Sequence, residues 1–181
     1  EDWGIYSGNS YLQKYDAYGR ATGISELRVP PIDREDEAGF KHDVNYEVLG
    51  VEGLNPVIFS WRSAAADMQF IEDNINVMND YNSGDQTISD DTYWSSWRSK
   101  NFFEYTSQFK IEKIAKWQFK RTNTGNTKYD PILHEQEYWE SFRNEYFEQS
   151  SVNIDMYNGE KREVQVWMPI EAKWDGERPI K

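Results

Sequence analysis

The chain has 181 residues, a formal charge of −12, no cysteine, and 8 Trp, 12 Tyr and 9 Phe against only five Leu. That length suits one domain with a core of its own, and the lack of cysteine removes disulfides, thiolate nucleophiles and thiolate metal sites. With 32 acidic against 20 basic residues, nucleic acid is a poor partner, because phosphate neutralisation by Lys and Arg drives most of that affinity.

Leu, Ile, Val and Phe together make up about a fifth of the chain, close to the level at which a highly charged sequence stays unfolded. The Trp and Tyr content points the other way, since each large ring buries roughly 150–250 Å². No apolar run approaches the roughly 20 residues of a membrane span. No transmembrane segment is therefore expected, although the chain could sit on a membrane complex through other subunits. The sequence begins Glu1-Asp2-Trp3 without Met. This reads as a trimmed chain or one matured by removal of a targeting segment. A processed organellar protein (mitochondrial or plastid) or an exported one fits, as does a virion component.

Residues 1–41 read as an extended arm. Glycines recur through it, Pro30-Pro31 and the charge run Asp33–Glu37 close it, and no helical or strand period persists. Trp3, Tyr6, Tyr11, Tyr15 and Tyr18 are spread along it. A merely flexible tail is poor in aromatics, so these five are candidate anchors on a partner surface.

From residue 43 the pattern turns to period 2. Val44, Tyr46 and Val48 alternate with polar residues, as do Val57, Phe59 and Trp61, which predicts strands near 43–50 and 56–61 with turn residues between. Ala64, Met68, Ile71, Ile75 and Met78 then fall on one stripe of a helix over about 62–80. A second helix starts at Ser89 or Asp90, a good N-cap, and is expected to turn Trp94, Trp97 and Phe102 inward. Phe109/Ile111 and Trp117/Phe119 alternate, which reads as a strand over 109–120 with a bulge at Ile114-Ala115.

Asp130 caps a further helix with Pro131 at its first position, and Trp139, Phe142 and Tyr146 form an aromatic inner face. Val152, Ile154 and Met156, then Val164, Val166 and Met168, alternate on either side of Asn158-Gly159. This predicts a hairpin with strands 151–157 and 163–169 and a loop longer than two residues. Residues 171–181 read as an extended tail, with Trp174 as a sixth candidate anchor.

The fold class expected is α+β, with one domain over 42–170. Four or five antiparallel strands would pack against about three helices, with the arm 1–41 and the tail 171–181 projecting.

No motif specifies a chemistry. The chain has two histidines. His42-Asp43 lies where a strand would point adjacent side chains to opposite faces, and His134 lacks the second His at i+4 that a zincin helix needs. The acidic loop 80–91 offers oxygens from Asp80, Asn82, Asp85 and Asp91, as a calcium loop does. Its order departs from the EF-hand pattern, with Gly84 at position 5, Asp85 at position 6 and no Glu at position 12. Calcium is therefore the one cofactor with a candidate site.

The leading expectation is a non-catalytic structural or accessory subunit of a large multi-subunit assembly. It would dock on other protein subunits through Trp3, Tyr6, Tyr11, Tyr15, Tyr18 and Trp174. The alternatives are a secreted glycan- or calcium-binding module and a carboxylate-dependent hydrolase.

Overall fold

A computed structural model of the chain describes residues 11–15, 21–28, 30–51 and 54–180, with side chains over 30–51 and 55–180. The arm residues Trp3, Tyr6 and Tyr18 lie outside the described residues, as do the side chains of Tyr11 and Tyr15. The backbone of β1 (Tyr11–Tyr15) pairs antiparallel with β2 (Ala21–Arg28).

Helix α1 (Arg34–Leu49) opens at the charge run. Asp33 caps it by accepting from the Asp36 N–H at 2.9 Å, and Glu35, Asp36 and Glu37 fill the first turn, where negative charge suits the helix dipole. Gly50 ends it in the left-handed conformation at φ 65°, the usual glycine stop. The strand expected over 43–50 is thus the second half of a helix. The period-2 signal arises because α1 is covered on two sides. Phe40 and Val44 pack against the C-terminal hairpin, while Tyr46 packs with Val57 and Ala66. Residues on both faces are apolar, and the sum mimics alternation.

The strand expected over 56–61 is also helical, forming α2 (Leu54–Phe59). The helix expected over 62–80 is α3 (Ala64–Asn82). Helix α4 (Asp90–Thr122) runs for 33 residues, about 50 Å at 1.5 Å per residue, and absorbs the strand expected over 109–120. Its cap is Ser89, whose Oγ accepts from the Thr92 N–H at 3.1 Å. Ile111, Ile114, Ala115, Gln118 and Phe119 are all buried. The Ile114-Ala115 pair that looked like a bulge is the i+3, i+4 step of a helix face. Helix α5 (Pro131–Tyr146) is capped by Asp130 as expected, through the Ile132 N–H at 3.0 Å.

The hairpin β3 (Phe147–Asp155) and β4 (Lys161–Pro169) pairs in unbroken register from Phe147↔Pro169 to Asp155↔Lys161. Its loop is longer than two residues and includes Gly159 at φ 84°. The strands β5 (Trp174–Asp175) and β6 (Arg178–Pro179) form a last short pair.

The class is α+β in the broad sense, with five α-helices among the described residues. The single sheet of four or five strands is replaced, among the described residues, by separate two-stranded pairs. The main core lies where α3, α4 and α5 meet. Trp61, Ile111, Ile114, Trp139, Phe142 and Tyr146 are buried there. Phe142 stacks on Tyr146 at 4.8 Å between ring centroids and meets Trp117 edge-on at 5.9 Å, the offset and T-shaped arrangements that ring quadrupoles favour.

Candidate functional site

Two features stand out chemically: a charged network sealed inside the helices, and an apolar, cationic face left open on α4.

The network gathers His42 and Tyr46 from α1, Ser63 and Asp67 from the start of α3, and Lys110 from α4. The side chains of Asp67 and Lys110 are both fully buried. The Lys110 ammonium donates to Asp67 Oδ2, to Pro56 O at 3.0 Å and to Ser63 Oγ at 3.1 Å, which uses all three of its protons. Asp67 Oδ1 accepts from Tyr46 OH at 2.6 Å and lies 2.9 Å from His42 Nε2. Because the carboxylate can only accept, the His42 proton sits on Nε2. Burial alone would raise Asp67, but Lys110 and His42 outweigh it and hold the carboxyl below its ordinary value. Burial pushes Lys110 down, opposed by Asp67. Burial and the adjacent Asp67 push Tyr46 up. A fully bonded buried pair is what a buried charge requires, and here it fixes three helices to one another.

His42 also lines a cleft of about 310 Å³ between α1, α3 and the hairpin, with Lys41, Asn45, Gln69, Arg162 and Trp167. Several of its polar groups are engaged with one another. Asn45 exchanges two hydrogen bonds with the Trp167 backbone, at 2.9 and 2.7 Å. The Trp167 indole N–H donates to Gln69 Oε1 at 3.2 Å, and Arg162 pairs with Glu37 at 2.6 Å. The cleft joins the hairpin to the helices. The sequence hides this network because its members are 43 residues apart between Asp67 and Lys110; a lone buried lysine leaves no periodic mark.

The acidic loop does not assemble. Asp80 pairs with the Arg34 guanidinium at 2.7 Å and Asp85 lies 3.9 Å from the same group. Asp85 Oδ1 also accepts from the Thr87 N–H and hydroxyl. Asn82 ends α3 and Asp91 stands in the first turn of α4. Among the described residues, Asp80, Asp85 and Asp91 form no convergent ligand set. The three carboxylates that do converge are Asp33, Glu35 and Asp36. Asp33 and Glu35 are taken up by hydroxyls, Thr92 on Asp33 and Ser99 on Glu35, both at 2.8 Å. His134 Nδ1 accepts from the Asp130 N–H at 2.9 Å, a capping contact.

Trp174 is not a free anchor. It is 7% exposed, packs on Tyr146 and Phe147, and donates its indole N–H to Tyr146 O at 3.1 Å. The tail folds back onto the main core.

The exposed aromatics lie elsewhere. Trp94 and Trp97, expected to face inward, are 53% and 44% exposed, and further along α4 Tyr105 is 83% and Phe109 51% exposed. The reason is on the opposite face. Thr92, Ser96, Ser99 and Ser107 are buried there, small enough for α4 to approach α1 and α3 closely, so Trp94 and Trp97 point out while Phe103 reaches in to Phe70 and His42. Spacings of three, eight and four residues from Trp94 to Phe109 put Trp94, Tyr105 and Phe109 on one stripe with Trp97 beside it. Beyond the first turn of α4, Arg98, Lys113, Lys116 and Lys120 are exposed cations in a chain of net charge −12, with Glu104 and Glu112 half-buried among them.

No protein-family model, no curated protein and no solved structure matches this chain. No helix among the described residues is long and apolar enough to cross a membrane.

Proposed function

We propose that this protein is a non-catalytic subunit of a larger protein assembly, and that it docks through the exposed face of α4. The observation that carries this reading is the row Trp94, Trp97, Tyr105 and Phe109, open to solvent on one helix face. Such rings, once covered, dominate interface energies, with Trp, Tyr and Arg the commonest hot spots. A single exposed aromatic needs no explanation, but four on one side of a helix do. Past its first turn the face carries the exposed cations Arg98, Lys113, Lys116 and Lys120, with Glu104 and Glu112 half-buried among them, so charge can orient a partner on it. The buried network supports the same reading, because its charged atoms are spent on one another and none is open to a substrate.

The test is the size of the native particle. Tagged protein at its natural level is resolved by native electrophoresis beside the variant Trp97→Asp/Tyr105→Asp/Phe109→Asp. The wild type is expected in a complex larger than two chains and the variant outside it, with circular dichroism unchanged because all three positions are exposed. Co-migration of wild type and folded variant would overturn the reading.

A further inference from the structure

The exposed face of α4 is complementary to itself about a single point. Tyr105 lies at its centre, and several pairs of residues at equal distances before and after it are complementary. Arg98 stands seven residues before Tyr105 and Glu112 seven after; Trp94 stands eleven before and Lys116 eleven after. Trp97 and Lys113 are each eight away, Asn101 and Phe109 four, and Asp90 and Lys120 fifteen. On an ideal helix at 100° per residue, the pairs out to eleven residues, apart from Trp97 and Lys113, fall within about 40° of Tyr105. Trp97, Lys113, Asp90 and Lys120 flank that stripe.

We infer that two copies of this chain associate through α4 in antiparallel fashion, with the twofold axis passing at Tyr105. The inference rests on the reading of this face as a docking surface and names its occupant. A twofold operation that reverses the helix places residue 105+k of one copy opposite residue 105−k of the other. Arg98 then meets Glu112 of the second copy, twice per dimer, and Asp90 meets Lys120. The ammonium of Lys116 reaches the indole of Trp94, an attraction of cation for ring face, as Lys113 already lies over the Phe109 ring of its own chain at 3.7 Å. The two Tyr105 rings, the most exposed of the row, cover each other.

The state of the single chain supports this choice over an unrelated acidic partner. Arg98, Lys116 and Lys120 make no ion pair among the described residues, and neither does Glu112. Glu112 instead adds its charge to that of Glu135, whose carboxyl is pushed up first by burial and then by Glu112. An arriving Arg98 would relieve that repulsion. An acidic partner would leave Glu112 facing like charge.

The experiment uses the whole chain, which has no cysteine of its own. Helices packed at 8–10 Å between axes, with Cα atoms at a radius of about 2.3 Å, bring the two copies of residue 105 to within about 3.5–5.5 Å. That overlaps the Cα separations of a disulfide. Tyr105→Cys is expected to oxidise to a covalent dimer of twice the 21.5 kDa chain mass. Asn101→Cys and Phe109→Cys are expected to cross-link only when mixed, since like positions would stand about 12 Å apart along the axis.

Light scattering is expected to show a wild-type dimer, its loss in Arg98→Glu, and its return in Arg98→Glu/Glu112→Arg. A monomer at the highest soluble concentration, or a dimer in which Asn101→Cys or Phe109→Cys cross-links alone, overturns the inference. A monomer that still enters a larger native particle through the α4 face removes the second copy and leaves the docking reading standing. A Tyr105-linked dimer with no larger particle does the reverse.

Discussion

Replacing Lys110 by Met removes a cation while keeping most of the side-chain volume. In the folded chain it strands the Asp67 carboxylate, whose side chain is fully buried, with Tyr46 OH, His42 Nε2–H and Ser63 Oγ as its remaining donors. It also leaves Pro56 O without the ammonium that it accepts from. Breaking one side of a buried pair costs about 3–5 kcal/mol, a large part of the 5–15 kcal/mol typical of a whole domain. At about 2–4 °C per kcal/mol for a chain of this size, the melting temperature falls by roughly 6–20 °C. Urea unfolding followed by tryptophan fluorescence reads the loss directly, with an unchanged slope showing that only stability moved. In Asp67→Asn/Lys110→Met no charge remains and Asn Oδ1 can still accept from Tyr46 and His42, so part of the loss returns. Because the Asp67 carboxyl is held below its ordinary value, its stabilisation is full above the ordinary carboxylate range and is lost as pH falls through the lowered value. The deficit of Lys110→Met therefore shrinks in acid. A cost under about 1 kcal/mol at neutral pH, or one that vanishes in high salt as a surface pair's does, would mean that the pair is hydrated and the reasoning wrong.

Two further substitutions probe α1. Gly50→Ala meets no atom within 4 Å of the added Cβ, so only the left-handed backbone opposes it; about 1 kcal/mol of stability is lost, less for Gly50→Asn, and a neutral Ala would show that the cap is not left-handed. Burial raises the Glu35 carboxyl above its ordinary value, so ionising it costs stability as pH rises from the ordinary value through the raised one. Glu35→Gln, still able to accept from Ser99, is expected to melt above wild type at neutral pH and to lose that advantage in acid; a difference constant with pH refutes the sign.

How much the sequence disclosed depended on how many sides of an element are covered. Helices α3 and α5, each with a clear apolar stripe, were legible together with the Asp130 and Ser89 caps, and so was the hairpin, whose one inner face alternates cleanly. Helix α1 was not, because Phe40 and Val44 face the hairpin while Tyr46 faces α2 and α3. In α4 the misleading signal was size. Large rings normally go inside, but serine and threonine fill the inner face of the first half, and Trp94 and Trp97 stay out. The aromatic excess did not say which rings are open: Trp174 belongs to the core, and exposed rings stand on α4. The Asp67–Lys110 pair was illegible in principle, since nothing local marks a salt bridge that closes only when two helices meet.

The return of the tail to the core has a consequence for synthesis. Arg62 donates to Gly176 O at 3.3 Å across 114 residues of sequence, and Trp61 shares its cluster with Trp174. A ribosome adding roughly 5–20 residues per second leaves the first of these partners waiting on the order of ten seconds for the second. During that interval the apolar faces of α3, α4 and α5 have emerged without their closing tryptophan. Exposed apolar surface of this kind is what chaperones cover during synthesis, and a pause in translation before residue 174 prolongs its exposure.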